Sequence, residues 1–443
     1  MSLPRYPEYK DSGTAWLGSV PRHWEVRRLG AYFVERREKV SDKDFVPLSV
    51  TKDGVVPQLE TVAKTDDGDN RKLVRAGDFV INSRSDRKGS SGASRQDGSV
   101  SLISTVLRPM RGIDIDFAHH LLRCVPFQEE FYRFGKGIVA DLWSTSYSEM
   151  RNIVLAMPSV PEQTAIAAFL DRETAKIDAL IAEQEKLITL LAEKRQATIS
   201  HAVTKGLDPD APMKDSGVTW LGEVPAHWEV VPLMHLTDPS RPIMYGIVLP
   251  GPDVEGGIPI VKGGDVKEHR LKVERLNRTT VEIEAPYARA RLKPTDIVYS
   301  IRGTIGEAEA VPGELEDANI TQDVARIAPA DGVQTNWLLH VMKSKPIFVQ
   351  LEQRSLGAAV RGINIFELKR ARIPVPPSSE RDEMARFLGK ETKKLEALGS
   401  ESERTIRLLK ERRSALIAAA VTGQIDVRGA VSAPSAAPEG FAA

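Results

Sequence analysis

Residues 162–208 read EQTAIAAFLDRETAKIDALIAEQEKLITLLAEKRQATISHAVTKGLD, and residues 380–426 read ERDEMARFLGKETKKLEALGSESERTIRLLKERRSALIAAAVTGQID. At an offset of 218 they share Phe169/Phe387, Leu170/Leu388, Glu173/Glu391, Thr174/Thr392, Leu191/Leu409, Arg195/Arg413, Val203/Val421 and Asp208/Asp426. Leu170, Ile177, Leu191 and Thr198 fall on a seven-residue spacing, with Ile181, Ile188 and Ala202 beside them. The second copy places Leu388, Leu395, Leu409 and Leu416 likewise, with Ile406 and Ala420. Flanked by Glu, Lys and Arg, this is the pattern of a two-helix seam. Pro161–Glu162 and Ser379–Glu380 suit helix starts, Gly206 and Gly423 helix stops. A helix over 162–204 would rise about 64 Å at 1.5 Å per residue. Such a length exceeds the ordinary globular helix and wants a partner along most of it, the nearest being its own copy. Antiparallel pairing lets one pseudo-two-fold axis relate the two copies. Gln184 and Ser402, which interrupt the leucines at the same place, are then expected to lie close together.

A second duplication precedes the first. KDSGTAWLGSVPRHWEV (10–26) matches KDSGVTWLGEVPAHWEV (214–230) at thirteen of seventeen positions, offset by 204, which chance does not produce. Each half of the chain is therefore an opening motif, a middle that differs between the halves, and a helix. The middles carry short strand-like runs between turns: GDFVINS (77–83), VSLISTVL (100–107), IPIVKGGDV (258–266) and DIVYSIRGTIG (296–306). The expected fold is α+β: two such domains, at 1–157 and 208–375, separated by a long antiparallel two-helix coiled coil formed by 158–207 and 376–426. An Ala/Pro/Ser-rich tail, 427–443, is expected to be disordered.

Composition narrows the function by exclusion. No apolar run reaches the roughly 18 residues that span a bilayer, and MSLPRYPEYK at the start lacks the apolar stretch of a secretory signal. A single cysteine, Cys124, excludes an intramolecular disulfide and any multi-cysteine zinc site. A cytoplasmic protein without a membrane partner is expected. Net charge is zero, with Lys/Arg against Asp/Glu at 21 to 18 over 27–157 and 19 to 19 over 228–375. Any nucleic-acid site must then come from local clustering, not bulk charge. The sequence has no GxxxxGK[ST], GxGxxG, GxSxG or HExxH, and no Asp/Asn-Pro-Pro-Tyr/Phe tetrapeptide.

Three features remain. The Trp–Pro–His–Trp clusters, Trp16–Glu25 and Trp220–Glu229, place His23 and His227 without a nucleophile or metal-ligand pattern, so they read as anchors packing each domain on the helices. The loops after GDFVINS and TDIVYSI carry Ser83, Arg84, Arg87, Lys88 and Arg95, and Ser300, Arg302 and Thr304. Arg can pair bidentately with guanine, while hydroxyls and backbone N–H groups suit phosphates. A solvated polar loop would have the same composition; parallel placement in both halves favours DNA contact. The segments just before the helices add Trp143, Ser144, Arg361 and Asn364.

WLGxVPxHWE opening each half, a Pro–x–x–(Pro/Ser)–Glu–(Gln/Arg) turn (Pro158–Gln163, Pro376–Arg381) and a long charged helix resemble the specificity subunits of type I restriction–modification systems. The resemblance covers nearly the whole chain except the tail; SERDEM (379–384) departs from the family's more usual EQxxI-like start. It implies a non-catalytic subunit whose two target-recognition domains each read one half of a bipartite, asymmetric double-stranded DNA target. It implies also that the helices dock two adenine methyltransferase subunits, with room for restriction subunits carrying an ATP-driven motor. S-adenosylmethionine, magnesium and ATP would then belong to those partners. Two other classes stay open at this point. A self-contained methyltransferase or nuclease lacks every cofactor motif; a coiled-coil scaffold without DNA recognition leaves the divergence of the middles unexplained.

Overall fold

The computed structural model describes residues 3–59, 68–84, 88–137, 143–267, 270–354 and 362–430. The chain forms two compact units, 1–184 with 404–443 and 185–403, so that each takes half of each long helix. Those helices are Val160–Lys205 and Ser378–Val421. They stop where the sequence predicts, because Gly206 and Gly423 adopt φ of +81° and +76°, a left-handed turn that ends a helix at little cost only for glycine. The predicted tail lies beyond residue 430, outside the described residues apart from its first four positions.

In the first unit a four-stranded antiparallel sheet runs in the order Ser91–Ala93, Phe79–Asn82, Ser104–Pro109, Phe33–Glu35. Phe33, Phe79 and Leu107 point from it into a core closed by Phe117 and Leu121 of one helix and Phe127 and Phe131 of the next. The second unit repeats the sheet as Ala308–Ala310, Ile297–Ser300, Val324–Ile327, Met244–Tyr245. Ile297, Tyr299, Ala325 and Ile327 pack there against Trp337, Leu338 and Val341 of Thr335–Met342.

The predicted strand 77–83 is present, but 100–107 is two strands: Gly98–Val100 ends before a turn, and Ser104–Pro109 follows it. The turn closes by Ser104 N donating to the Ser101 carbonyl at 3.0 Å. An apolar run does not by itself reveal such a break, since Leu102 and Ile103 are poor turn residues. The run 258–266 likewise bends into a 3-10 turn after Val261.

Within each unit the helices pair antiparallel. In the first, Ile166, Phe169 and Leu170 share a core with Ala420 and Val421. In the second, Ile199, Ala202 and Val203 share one with Met384, Ala385 and Leu388. An ion pair joins the two helices in each unit: Asp178–Arg413 at 2.9 Å in the first and Arg195–Glu396 at 2.8 Å in the second. The heptad spacing sets which face of each helix is buried, Ile177 and Ile181 on the first and Leu395, Ser402 and Ile406 on the second.

Candidate nucleic-acid interface

The anchors come first because they hold each domain to its own helix. Glu162, in the first turn of its helix and buried, accepts hydrogen bonds from Tyr6 OH (2.8 Å) and Trp24 Nε1 (3.2 Å) and meets His23 Nε2 at 2.9 Å. Glu380 does the same for Trp228 Nε1 (2.9 Å) and His227 Nε2 (2.6 Å). Both histidines are tied to helix carboxylates, as the anchoring reading expects. Among the described residues no group of three or more His, Cys, Asp or Glu could hold a metal ion.

A charged pair then sets each reading strand. Asp78, just before Phe79–Asn82, is held by Arg36 (2.7 and 3.1 Å) and by Arg75 N (2.8 Å). Asp296, just before Ile297–Ser300, is held by Arg241 (2.7 Å twice) and by Lys293 N (2.8 Å). The bidentate geometry is the strong form of an Arg–carboxylate bond. It fixes where the strand begins, and hence where its far end delivers a side chain.

At that far end Ser83 is half-buried and fully engaged. Its N donates to the Ile103 carbonyl (3.2 Å), its hydroxyl meets Thr105 Oγ1 (3.0 Å), and its carbonyl accepts from Thr145 N (2.9 Å). Arg84 follows, exposed, its backbone bridged to Ser144. Ser144 in turn exchanges two backbone bonds with Lys136 (2.9 and 3.0 Å). Trp143 donates from Nε1 to the Tyr132 carbonyl at 3.0 Å, over Gly135, where a Cβ would collide with the indole. Lys88 lies 4.8 Å over the Tyr132 ring while paired to Glu129 at 2.6 Å. The structure thus gathers Ser83, Arg84, Lys88, Trp143 and Ser144. Arg87 lies outside the described residues. Arg95 pairs with Asp116 beyond the other end of the same strand pair, away from the cluster.

The second domain repeats the arrangement. Ser300 is completely buried, its hydroxyl donating to the Arg302 carbonyl (3.0 Å) and meeting Thr304 Oγ1 (3.2 Å), so it shapes the loop and has no surface to offer a ligand. Thr304 ties the loop to the Gly263 carbonyl at 2.8 Å. Arg302 is exposed and bridged to Gly362 as Arg84 is to Ser144, and Ile363 N donates to the Ile301 carbonyl as Thr145 N does to Ser83. Asn364 spends its Oδ1 on Phe366 N (2.9 Å), capping the short helix Ile365–Lys369. Arg361 lies outside the described residues. Arg302 and Asn364 open on a cavity of about 280 Å³ shared with Tyr245, Val248, Gln322 and Ile363. Sequence reasoning missed Tyr245 and Gln322, which lie far from the loops in the chain; only strand pairing brings them there.

Two exposed arginines at one backbone position of a duplicated frame, each beside hydroxyls and aromatic rings, suit a duplex with its phosphates and guanines. The comparisons fit that geometry. Over 242 residues the chain is 30% identical to the EcoBI specificity subunit of Escherichia coli, a type I restriction enzyme, covering 54% of this chain and 51% of that one. The chain is similar to type I restriction specificity subunits. It is 24% identical over 424 residues to the MjaVIII specificity subunit of Methanocaldococcus jannaschii, across 92% of this chain and 94% of that one. It is 23% identical over 406 residues to the putative MjaX specificity subunit of the same organism, across 84% and 87%. The match to the Escherichia coli subunit spans about half that protein's length. No family model matches. The fold is that of a chain solved in work on assembly and conformational transition of the type I restriction–modification system (TM-score 0.65, 19% identity, 91% of this chain and 98% of that one). The HsdS subunit from Thermoanaerobacter tengcongensis shares it as well (TM-score 0.54, 20% identity, 91% and 98%). Among the described residues no helix is long and apolar enough to cross a membrane.

Proposed function

We propose that the chain is the DNA sequence-specificity subunit of a type I restriction–modification complex, each domain reading one half of a bipartite, asymmetric duplex target. The observation that carries this is the duplicated delivery of Arg84 and Arg302 on matching backbone bridges, with unlike side chains around them. One frame used twice with different tips reads two different half-sites. The subunit performs no chemistry itself. Two adenine methyltransferase subunits bring S-adenosylmethionine, and restriction subunits, where they join, bring the ATP- and magnesium-dependent motor. Leu180, Leu187 and Leu190, exposed at 52, 40 and 50% on one stripe of the first long helix, support a role of that helix in docking the methyltransferases. The assembly works in the cytoplasm, where the host DNA is.

Mapping methylated adenines in DNA exposed to the assembled complex tests the reading. Two short specified blocks of different sequence, separated by unspecified bases and about 10 bp apart centre to centre, are expected. A palindromic or single-block motif overturns it.

A further inference from the structure

Beside each exposed arginine lies a tight turn that the polar loops overshadow. In the first domain Ser104 N donates to the Ser101 carbonyl at 3.0 Å, leaving Leu102 and Ile103 at the turn's two central positions. In the second, Val324 N donates to the Thr321 carbonyl at 3.1 Å, leaving Gln322 and Asp323 there. The turns are the same element of the frame: each opens the strand that pairs with the reading strand, Ser104 facing Asn82 and Val324 facing Ser300. Each is also bonded to the loop it accompanies. The Ile103 carbonyl accepts from Ser83 N at 3.2 Å, and the Asp323 carbonyl accepts from Ile301 N and Arg302 N at 2.9 and 3.3 Å.

The side chains at these tips are what differ. Leu102 and Ile103 are 40 and 39% exposed. Central turn positions ordinarily hold Gly, Asn, Asp, Pro or Ser, which favour the bend and face water. An adjacent Leu–Ile pair gains nothing from that bend and presents apolar surface beside Arg84. Gln322 instead lines the Arg302 cavity together with Tyr245, and its own N is engaged by the Ile247 carbonyl at 2.9 Å, which holds the residue in place. In the first domain local turn preference is thus broken at an exposed tip beside the loop arginine, and such breaks are expected at functional sites.

We propose that these turns are a second specificity element in each domain, Leu102–Ile103 packing on a thymine methyl group in one half-site and Gln322 pairing with an adenine in the other. The chemistry follows from the major groove. Only thymine carries an apolar C5-methyl there, and only adenine offers the N6 donor and N7 acceptor that a glutamine amide matches with two bonds. Arg302 beside Gln322 adds a guanine contact, so the second half-site contains adenine next to guanine. The inference rests on the DNA-reading function proposed above.

The experiment selects duplexes from a randomised library with the full chain and its methyltransferase subunits, then sequences the bound pool. Wild type, Leu102→Ala/Ile103→Ala and Gln322→Leu are compared, with thermal unfolding as a check that each variant folds. The double alanine variant is expected to lose a thymine preference about tenfold in one block only, and Gln322→Leu an adenine preference of similar size in the other. Unchanged motifs overturn the proposal. So does a uniform loss of binding across all sequences, which would make the turns phosphate contacts or supports. A wild-type pool without any bipartite motif would instead bring down the DNA-reading function itself, so the two failures are distinct.

Discussion

The two domains share a frame and differ at its tips, and the difference follows burial. Arg36–Asp78 and Arg241–Asp296 are both bidentate pairs with a 2.7 Å bond, made by arginines at different strand positions to aspartates at the same one, each aspartate almost fully enclosed. The backbone bridges of Arg84 and Arg302 correspond as well. Yet the neighbouring turns present Leu102–Ile103 in one domain and Gln322–Asp323 in the other. Groups that set strand position are buried, so replacing them costs the fold; groups at the tips are exposed, so they are free to diverge. A protein built this way can change what it reads without changing how it stands.

The largest expected effect tests the shared part. Asp78→Ala and Asp296→Ala each strand a partly buried arginine, and breaking one partner of a buried pair costs about 3–5 kcal/mol. Chemical unfolding with hydrogen exchange, which resolves the two domains, should show losses of similar size, each confined to its own domain. A loss in one domain alone would mean the frames are not equivalent.

The anchors are expected to break the symmetry. Glu162 is 5% exposed and serves Tyr6, His23 and Trp24, whereas the Glu380 side chain is 37% exposed and serves His227 and Trp228. Glu162→Ala leaves two buried donors unpaired, Tyr6 and Trp24, at about 1–3 kcal/mol each, whereas Glu380→Ala leaves one, Trp228, beside the exposed His227, and about half the loss is expected there. Glu162→Gln, which keeps an acceptor, should recover much of the loss. Equal costs at both sites would show that the number of buried donors is not what separates them.

At the tips the comparison moves from stability to binding. Arg84→Ala and Arg302→Ala should each relax one base position by about 1–3 kcal/mol, in different half-sites, with unfolding unchanged. Lys88→Ala should act differently, weakening binding on all sequences and lowering the salt slope by about one. Its ion pair with Glu129 is exposed on both sides and weak enough for a phosphate to displace. Titration of matched and mismatched duplexes over a salt series separates these outcomes. If Arg84 and Arg302 affect the same half-site, the one-domain-one-block assignment fails.

Legibility in the sequence followed the same division. The long helices, their glycine stops and the Trp–Pro–His–Trp clusters were readable because they are duplicated and their spacing is local; the carboxylates that hold those clusters, Glu162 and Glu380, were not, since they lie far off in the chain. The loop arginines were readable because they follow recognisable strands. The placement of Gln322, Tyr245 and Leu102 beside those loops was not, since it comes from strand pairing across the chain, which a linear pattern does not record. Ser300 was over-read for a related reason: its hydroxyl looked available, and the fold buried it. Arg95 was grouped with Arg84 by nearness in sequence, although an antiparallel strand pair puts them at opposite ends.

Acidity offers a subtler contrast between the domains. Burial, then the Arg123 charge, pushes His119 down to about 3; burial, then Lys343, pushes His340 on the corresponding helix to about 4. Both folded-state values lie below the ordinary 6.5, so it is the unfolded chain that takes up the proton first. Stability is therefore full above about pH 6.5 and falls with acid, by at most about 1.4 kcal/mol per pH unit for each histidine. Unfolding measured from pH 7 to 4 should show this slope in both domains, and His119→Gln should flatten it in the first alone. A slope untouched by that change would assign the acid sensitivity to other groups.

The smallest effect concerns a turn where the domains have the same backbone and different residues. Gly77 has φ of +91° and Thr295, its counterpart before the aspartate, φ of +75°. Both turns close on the neighbouring strand, Gly77 N to the Ser94 carbonyl at 2.9 Å and Thr295 N to the Val311 carbonyl at 3.3 Å. Glycine takes this conformation freely, whereas a β-branched residue meets its own backbone and stores about 1–2 kcal/mol. A Cβ at Gly77 would touch nothing within 4 Å, so Gly77→Thr isolates the backbone term. That variant should lose about 1–2 kcal/mol, less whatever the stiffer unfolded chain returns. Thr295→Gly should gain less than Gly77→Thr loses, about 0.5 kcal/mol, because glycine's extra unfolded-state freedom offsets the relieved strain. Paired denaturant titrations would read both shifts. If Thr295→Gly destabilises the second domain, the threonine side chain contributes packing that outweighs its strained φ, and the two turns, alike in backbone, are held by different means.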